Sequence, residues 1–251
     1  MALGDVYTAL EKPDRALRHY DHAGEAADDP VEKARSQLAK TRIAASRIDV
    51  PAIDRSVRES LDLLDEPLPS SRLGLVVVAL YRFLKILFWR HVWSPTPVDG
   101  RARRVRELRA DAYQMLGLVG NFREEPTLGI TEVTGRLHAT IPIGSSMALL
   151  RAYGSEIVAN ALAGFEERAR NSLTRAHSLA RELDTPRATT FVDAMEALQL
   201  DISGDLVEAA QTAKSILNHR RDHIQHYVRS IVMLSLLSNL GRRGYSAAVV
   251  E

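Results

Sequence analysis

The chain has 251 residues, with 33 Lys and Arg against 32 Asp and Glu, and it contains no cysteine. The balanced charge gives no global field that would attract nucleic acid or a membrane, and the lack of thiols excludes disulfides, thiolate catalysis and cysteine-based zinc sites. The first residues lack the basic and apolar regions of a secretory signal, so we expect a cytoplasmic protein.

Four helices are predicted before residue 65. The remnant of one helix precedes a turn at 11–14, and a second helix follows over 15–27. Residues 31–47 and 51–64 form the next pair. Proline stands at or near the start of each of the last three helices, where its missing N–H group costs little.

Residues 73–93 form the most hydrophobic segment and raise the question of a membrane span. Its ten strongly apolar residues would each gain roughly 0.3–0.6 kcal/mol in a bilayer, whereas Arg82 and Lys85, near its middle, would each cost about 2.5–3.5 kcal/mol. The charges therefore cancel or exceed the gain. We predict no membrane span, and a helix buried on several sides by neighbouring helices.

Residues 94–100 form the clearest linker inside the chain, because two prolines and a glycine interrupt any helix there. Five arginines follow in the next predicted helix: Arg101, Arg103, Arg104, Arg106 and Arg109. A phosphate-binding patch is one interpretation of this run. Glu107 and Asp111 interrupt it and no aromatic residue interleaves with it, so we favour a solvated helix face and do not expect nucleic acid as a partner.

The rest of the chain is predicted to consist of helical hairpins. Residues 127–140 are the weakest helix, because glycines and β-branched residues lower its helix propensity. An apolar helix then runs from 147 to 163, the chain reverses at Gly164, and a second helix reaches about 184. Further helices follow over 187–203, 205–218 and 222–240, and a final helix stops at Glu251.

The hairpin around Gly164 has a copy further along the chain. Gly164 and Ala169 recur forty residues later as Gly204 and Ala209. In the helix after Gly164 the apolar residues fall within a stripe about 80° wide. A helix pair repeated in this way buries its apolar face mainly against neighbouring pairs, so we expect a stacked helical array.

Several of these helices share a spacing of small and bulky residues. The residues that carry it are Leu3, Gly4 and Tyr7, then Ala16, Tyr20 and Ala23, then Ala169, Leu173 and Ala176, and more loosely Ala209, Ala213 and Ile216. The pattern resembles the tetratricopeptide repeat (TPR). The resemblance implies an all-α, right-handed α-α superhelix of TPR-like hairpins. We expect about six pairs in a single array over 1–251, with sub-blocks 1–93 and 100–251.

The order of breaks and helix types also resembles the helical-repeat region of large bacterial signalling ATPases. Paired helices are followed by a Leu-Pro break, a long apolar helix, an Arg-rich helix ending at 113–117, and regular hairpins. The resemblance implies a non-catalytic regulatory or interaction scaffold, joined in the longer protein to a nucleotide-cyclase, kinase or DNA-binding effector. Because both ends look cut through a repeat, we expect a fragment of that longer protein.

None of the common catalytic motifs is found in the sequence. G-x4-G-K-[ST], G-x-G-x-x-G, H-E-x-x-H and G-x-S-x-G do not occur. Asp28, Asp29 and Glu32 superficially resemble the magnesium-binding acids of all-α prenyl-chain enzymes. Pro30, however, places them at a turn before a helix, where acids stabilise the helix N-terminus. We therefore expect no enzyme activity and no cofactor.

One cluster has metal-ligand residue types: His219, Asp222, His223 and His226. A zinc site needs about four convergent ligands. These residues flank a predicted polar turn between two helices, so we interpret them as exposed side chains and expect no metal.

We predict that the chain recognises a protein or a peptide, or other domains of the same longer chain. In stacked hairpin arrays the first helices of successive pairs line a concave groove that binds such partners. Six polar or aromatic residues on these helices are the predicted partner-binding positions: Arg35, Arg82, Tyr113, Tyr153, Asn160 and Gln199.

Two alternatives remain open from the sequence. An all-α small-ligand sensor or enzyme would enclose an apolar pocket around residues 73–93, and an enzyme would point carboxylates into it. A transcription regulator whose repeat region senses a ligand would have a DNA-binding domain encoded beyond Glu251. An open arc of hairpins favours the scaffold, and a closed helical barrel favours the enzyme.

Overall fold

The computed structural model describes residues 1–219, together with Val232, Met233 and Leu236. All regular structure in these residues is helical, which confirms the predicted all-α class for this part of the chain. The helices are α1 (Ala2–Ala9), α2 (Pro13–Glu25), α3 (Pro30–Ser46), α4 (Val50–Leu63), α5 (Arg72–His91), α6 (Gly100–Phe122), α7 (Pro126–Thr140), α8 (Met147–Leu162), α9 (Glu166–Leu183), α10 (Pro186–Ser203) and α11 (Leu206–His219). A single 3-10 turn, Ile141–Ile143, follows α7.

Local capping chemistry explains why the helices begin where they do. The Ser71 hydroxyl accepts a hydrogen bond from the Gly74 N–H at 3.1 Å and so starts α5. Four more side chains cap helices in the same way: Asp29, Asp49, Ser146 and Thr185. The predicted reversals at Gly164 and Gly204 are confirmed, because both residues adopt the left-handed conformation, with φ of 76° and 92°.

The chain divides into two compact units, Met1–Gly144 and Ser145–Glu251. The division does not fall at the linker 94–100. That segment belongs to the first unit, where the Val98 N–H donates a hydrogen bond to the Pro142 carbonyl at 2.9 Å. Except for the three residues named above, the helices predicted after 219 lie outside the described residues.

The first unit is built from three hairpins and one additional helix. The hairpins are α1 with α2, α3 with α4, and α6 with α7, and α4 packs directly on α6. Helix α5 lies outside this succession and packs chiefly on α7. The largest core cluster contains Leu38, Ile53, Val57, Leu61, Leu75, Tyr113, Leu116, Val119 and Leu128.

The second unit contains two hairpins within residues 145–219. Helix α8 pairs with α9, α10 pairs with α11, and α10 also packs on both helices of the preceding hairpin. Gly154 of α8 permits the close crossing, because a Cβ atom there would stand 2.8 Å from the Phe191 ring of α10. The buried side chains of these helices include Leu150, Ile157, Ala169, Phe191, Val192, Met195, Ala213 and Ile216.

Helix α7 had the weakest sequence signal but forms a complete helix beneath α5 and beside α6. Its threonine hydroxyls are satisfied inside the helix, where Thr131 donates to the Thr127 carbonyl at 2.7 Å and Thr140 donates to the Arg136 carbonyl at 2.8 Å. Gly135 lets the helix approach α6, because a Cβ atom at this position would lie 2.6 Å from the Tyr113 ring. The close packing of α7 on α6 thus offsets the low helix propensity of its residues.

The two glycines of α7 give a matched test of this packing. Gly135→Ala forces the buried Tyr113 ring to shift, and overpacking should lower the free energy of unfolding by about 1–3 kcal/mol. In Gly129→Ala the added Cβ atom meets no atom within 4 Å. This change should raise the free energy of unfolding by up to about 1 kcal/mol, because alanine has the higher helix propensity. Urea unfolding of both variants measures the two changes, and a gain for Gly135→Ala would contradict the close approach.

Candidate interaction surface

Helix α5 presents an apolar face to solvent. Eight large apolar side chains are exposed on it: Leu73, Val76, Val77, Leu80, Tyr81, Phe83, Leu84 and Phe88. Their exposed fractions run from 38% for Phe83 to 75% for Leu73, and Val92 and Trp93, just beyond the helix, are exposed as well. The prediction that this helix is buried on several sides is wrong, because α5 lies outside the hairpin succession and is covered on one side only. We call the eight residues the α5 face.

The two sides of α5 are both apolar, and this explains why sequence periodicity did not separate them. At 100° per residue the α5 face spans an arc of about 160°. The opposite side is buried and includes Leu75, Ala79, Ile86 and Trp89. An amphipathic helix usually places charged residues opposite its buried stripe. Here a second apolar stripe takes their place.

The α5 face is large for an exposed apolar patch. Its eight side chains are on average about half exposed, and at roughly 150–200 Å² for each side chain they present on the order of 700–800 Å². The largest apolar patch on a typical monomeric protein covers about 300–600 Å² and is often functional. Larger patches mark sites of protein or membrane contact, so the α5 face is the strongest candidate for an interaction surface among the described residues.

A largely buried ionic network on the inner side fixes the orientation of α5. The Glu66 carboxylate, between α4 and α5, accepts hydrogen bonds from Arg82 Nη2 at 2.7 Å and from the Tyr113 hydroxyl at 3.0 Å. Arg109 Nη1 lies 2.8 Å from the other carboxylate oxygen. The Arg82 guanidinium also stacks over the Tyr113 ring, 4.8 Å from its centroid. Because these contacts hold Arg82 inward, the apolar residues opposite it must face outward.

The structure therefore brings together two of the predicted groove residues, but in the interior. Arg82 and Tyr113 are 4% and 0% exposed, and their polar groups contact Glu66 and each other. Gln199 is also buried and donates a hydrogen bond to the Ser203 hydroxyl at 3.0 Å. These three side chains are corrected from groove positions to internal ones. Sequence reasoning assigned them by polarity, and polarity does not distinguish a binding residue from a buried network.

The other three predicted groove residues are accessible to different degrees. Arg35 on α3 is exposed and lies 3.6 Å from the Glu32 carboxylate. Tyr153 and Asn160 on α8 are half-buried. They belong to the second unit, whereas Arg35 belongs to the first. The six positions do not form one surface within either unit.

His138 of α7 completes the buried polar cluster beneath α5. Its ring stacks on Trp89 at 5.1 Å, and both ring nitrogens are buried without a hydrogen-bond partner among the described residues. Burial lowers the pKa of His138 to about 3, and neighbouring cations add to the shift: Lys85, Arg82, Arg106 and Arg109. His138 is therefore a neutral side chain at physiological pH.

The arginines of α6 are largely neutralised by acids of the first unit. Arg101 bonds to Asp29 at 2.7 Å, Arg103 to Glu107 at 2.9 Å, Arg104 to Glu32 at 3.1 Å and Arg109 to Glu66 at 2.8 Å. The same contacts occupy Asp29 and Glu32, the acids considered for magnesium binding. The Arg101 side chain, by its hydrogen bond, holds the pKa of Asp29 below its usual value. The run is thus an ion-paired helix face.

Neither a cluster of metal-ligand residues nor a helix fit to span a membrane occurs in the described part of the chain. No group of three or more His, Cys, Asp or Glu side chains there could hold a metal ion, and no helix there combines the length and apolarity that a bilayer crossing needs. Asp222, His223 and His226 of the predicted polar cluster lie outside the described residues, as does the His219 side chain.

Comparisons of the chain with protein-family models, with curated proteins and with solved structures found no match. A function for this chain must therefore be inferred from its own geometry. Within residues 1–219, that geometry has one outstanding feature, the α5 face above the Glu66 network.

Removal of the Glu66 carboxylate tests how far the network stabilises α5. Glu66→Gln leaves two arginines without their common counter-ion, and the free energy of unfolding should fall by about 3 kcal/mol. Glu107→Gln is the matched control, because it breaks an exposed pair with Arg103 that should contribute less than about 0.5 kcal/mol. Guanidinium unfolding measures both, and equal small losses would contradict the proposed role of Glu66.

The low pKa of His138 makes stability depend on pH. Below about pH 6.5 the unfolded chain protonates this histidine while the folded chain does not, so stability falls as the pH drops, by up to about 1.4 kcal/mol per pH unit from this group. His138→Phe keeps the ring contact with Trp89 and removes the titration. Its stability should fall less than that of the unmodified chain between pH 6.5 and 4.5.

Urea unfolding at several pH values measures this difference. His22→Phe is the control for exchanging an imidazole for a phenyl ring, because the His22 side chain is exposed. Parallel pH profiles for the His138→Phe variant and the unmodified chain would show that His138 titrates normally in the folded state.

Proposed function

We propose that the chain is a non-catalytic protein-interaction module that binds its partner through the α5 face. One observation carries the proposal: eight large apolar side chains are exposed together on a helix whose inner side is firmly anchored. Maintaining such a patch in water favours aggregation and has no stabilising role within the unit. It is accounted for when a partner covers it.

The pattern of helix contacts supports a TPR-like superhelical array as the scaffold. In 145–219 each helix of a hairpin contacts its pair, and α10 contacts both helices of the hairpin before it. In the first unit α4 packs on α6, so the succession of hairpins continues across α5. Small residues stand at the close crossings, with Gly4 against Tyr20 and Gly154 against Phe191. These are the contacts expected of stacked repeats.

Helix α5 then acts as an insertion that carries the binding surface. Each hairpin of a stacked array covers the apolar face of the next. The stack therefore offers little apolar surface against which an additional helix could pack. Helix α5 obtains cover from α7 on one side only. Its other side is available for recognition without any change to the stack.

The likeness to the helical-repeat region of bacterial signalling ATPases extends the proposal. In that setting the module is a cytoplasmic regulatory segment of a longer signalling or transcription-regulating protein. Its partner is another protein or another domain of the same chain. An amphipathic helix is a suitable ligand, because an apolar helix face matches an elongated apolar strip in length and width.

The α5 face argues against the enclosed pocket that a ligand sensor or enzyme would need around 73–93. The apolar side chains of α5 are open to solvent, whereas a pocket would bury most of a small ligand. The Glu66 carboxylate, which bonds to the inner side of α5, is occupied by Arg82, Arg109 and Tyr113. A nucleic-acid ligand is disfavoured by the ion pairs along α6.

Partner binding by matched variants tests the proposal. The tagged chain is used to isolate a protein from its native cells, and that protein is then purified and titrated against each variant. Leu80→Glu with Leu84→Glu places charges in the centre of the α5 face and should weaken binding at least 100-fold.

Leu162→Glu is the control, since Leu162 is also exposed, at 71% against 55% for Leu80 and 57% for Leu84, but lies on α8. It should leave binding unchanged. Circular dichroism and unfolding midpoints establish that all variants are folded. A partner that binds the double variant and the control with the same affinity would refute recognition through α5.

A further inference from the structure

We infer that the α5 face pairs in antiparallel orientation with the α5 face of a second copy of this chain. The inference rests on the proposed function and deepens it, because it names the occupant of the same surface. Three features of α5 support this occupant: its exposed area, the spacing of its central residues, and the distribution of large and small side chains along it.

The exposed area matches one side of a standard protein interface. The α5 face presents on the order of 700–800 Å², and a stable interface buries about 800 Å² on each partner. Two copies that meet face to face therefore bury enough apolar surface for a stable dimer. A two-fold arrangement uses the same patch on both copies, so no part of the α5 face stays exposed to bind a third copy.

The centre of the face has the spacing of a two-helix seam. Leu73, Val77, Leu80, Leu84 and Leu87 follow one another at alternating steps of four and three residues. This alternation keeps a row of side chains facing a partner helix, as in left-handed helix pairs. Leu87 is half-buried and closes the row at its C-terminal end.

Side-chain sizes favour the antiparallel direction. The large aromatic residues lie in the C-terminal half of the face, and the small valines lie in the N-terminal half. If Leu80 faces Leu84 of the second copy, then Val76 faces Phe88 of the second copy and Val77 faces Leu87. Both valines thus meet larger residues, which favours dense packing, and Tyr81 meets Phe83 of the second copy at one flank. In the parallel direction Phe88 would meet Phe88, and valine would meet valine.

The charges of α5 allow a helix pair of this kind. The helix contains no acidic residue, and its cations lie away from the centre of the α5 face. Arg82 points inward to Glu66 at 2.7 Å, Arg72 pairs with Glu125 at 3.2 Å, and Lys85 lies over the Trp89 ring at 5.0 Å. The central row of the face is uncharged, so no like charges meet along the middle of the helix pair.

Sedimentation equilibrium of the full chain is the first test. The unmodified chain should be a dimer at about 10–100 µM protein. This range lies above a dissociation constant on the order of 1 µM, which we expect for the dimer. Leu80→Glu with Leu84→Glu should raise the dissociation constant at least 100-fold and give a monomer at the same concentrations. Leu162→Glu should remain a dimer. A monomeric unmodified chain, or a dimer unaffected by the double variant, would overturn the inference.

Cysteine cross-linking tests the direction of pairing, because the chain has no native cysteine. An equimolar mixture of Leu80→Cys and Leu84→Cys should form a disulfide-linked dimer on mild oxidation. Leu73→Cys alone should not, since the two copies of this residue would be about 27 Å apart along an antiparallel pair. Cross-linking of Leu73→Cys with itself, and none in the mixture, would indicate parallel pairing and overturn the antiparallel proposal.

Failure of the self-pairing can be separated from failure of the proposed function. A monomeric chain that still binds a purified protein through Leu80 and Leu84 overturns self-pairing and leaves the interaction module intact. A monomeric chain that instead sediments with vesicles of phosphatidylcholine and phosphatidylglycerol, and loses this on Leu80→Glu with Leu84→Glu, overturns both. An α5-dependent dimer that excludes vesicles supports both.

Discussion

The Glu66 carboxylate is the contact on which the arrangement of the first unit depends. It lies in the connection before α5 and joins Arg82 of that helix to Arg109 and Tyr113 of α6. A largely covered carboxylate needs compensation for its lost hydration, and two guanidinium groups and a hydroxyl provide it. Since Arg82 can reach Glu66 only when it points inward, this one cluster sets the rotation of the whole helix. Hydrophobic burial alone would not choose between the two apolar sides of α5.

The consequence for function is a rigid surface. Helix α5 is anchored at its start by the Ser71 cap, along its inner side by Leu75 and Ile86, and below by the stack of Trp89 on His138. A partner that binds the opposite side meets side chains on a regular helix, so little backbone entropy is lost on binding. The hairpins around α5 act as a support, and α5 itself carries the recognition.

Much of the fold could be predicted because its signals are local. Prolines at the first turn, capping residues such as Asp49 and Ser71, and the glycine reversals at Gly164 and Gly204 identify helix ends within a few residues. The exposed face was not predictable in this way, because both sides of α5 are apolar and the choice between them depends on Glu66, a distant partner of Arg82. Helix α7 was underestimated for a related reason, since the value of Gly135 lies in its contact with Tyr113.

The position of α5 in the chain has a consequence for synthesis. Its inner side is covered chiefly by α7, which ends 49 residues after α5 ends, at Thr140 against His91. At a translation rate of about 5–20 residues per second, the part of the inner side that α7 covers remains exposed for roughly 2–10 seconds. During this interval α5 is an apolar helix that lacks its chief native contact, although Glu66 and the α3 and α4 partners of Leu75 have already been made. Exposed apolar segments of this kind are the ones that ribosome-associated chaperones bind. The same side chains that suit α5 for recognition in the finished protein thus make it the segment most in need of protection while the chain is being made.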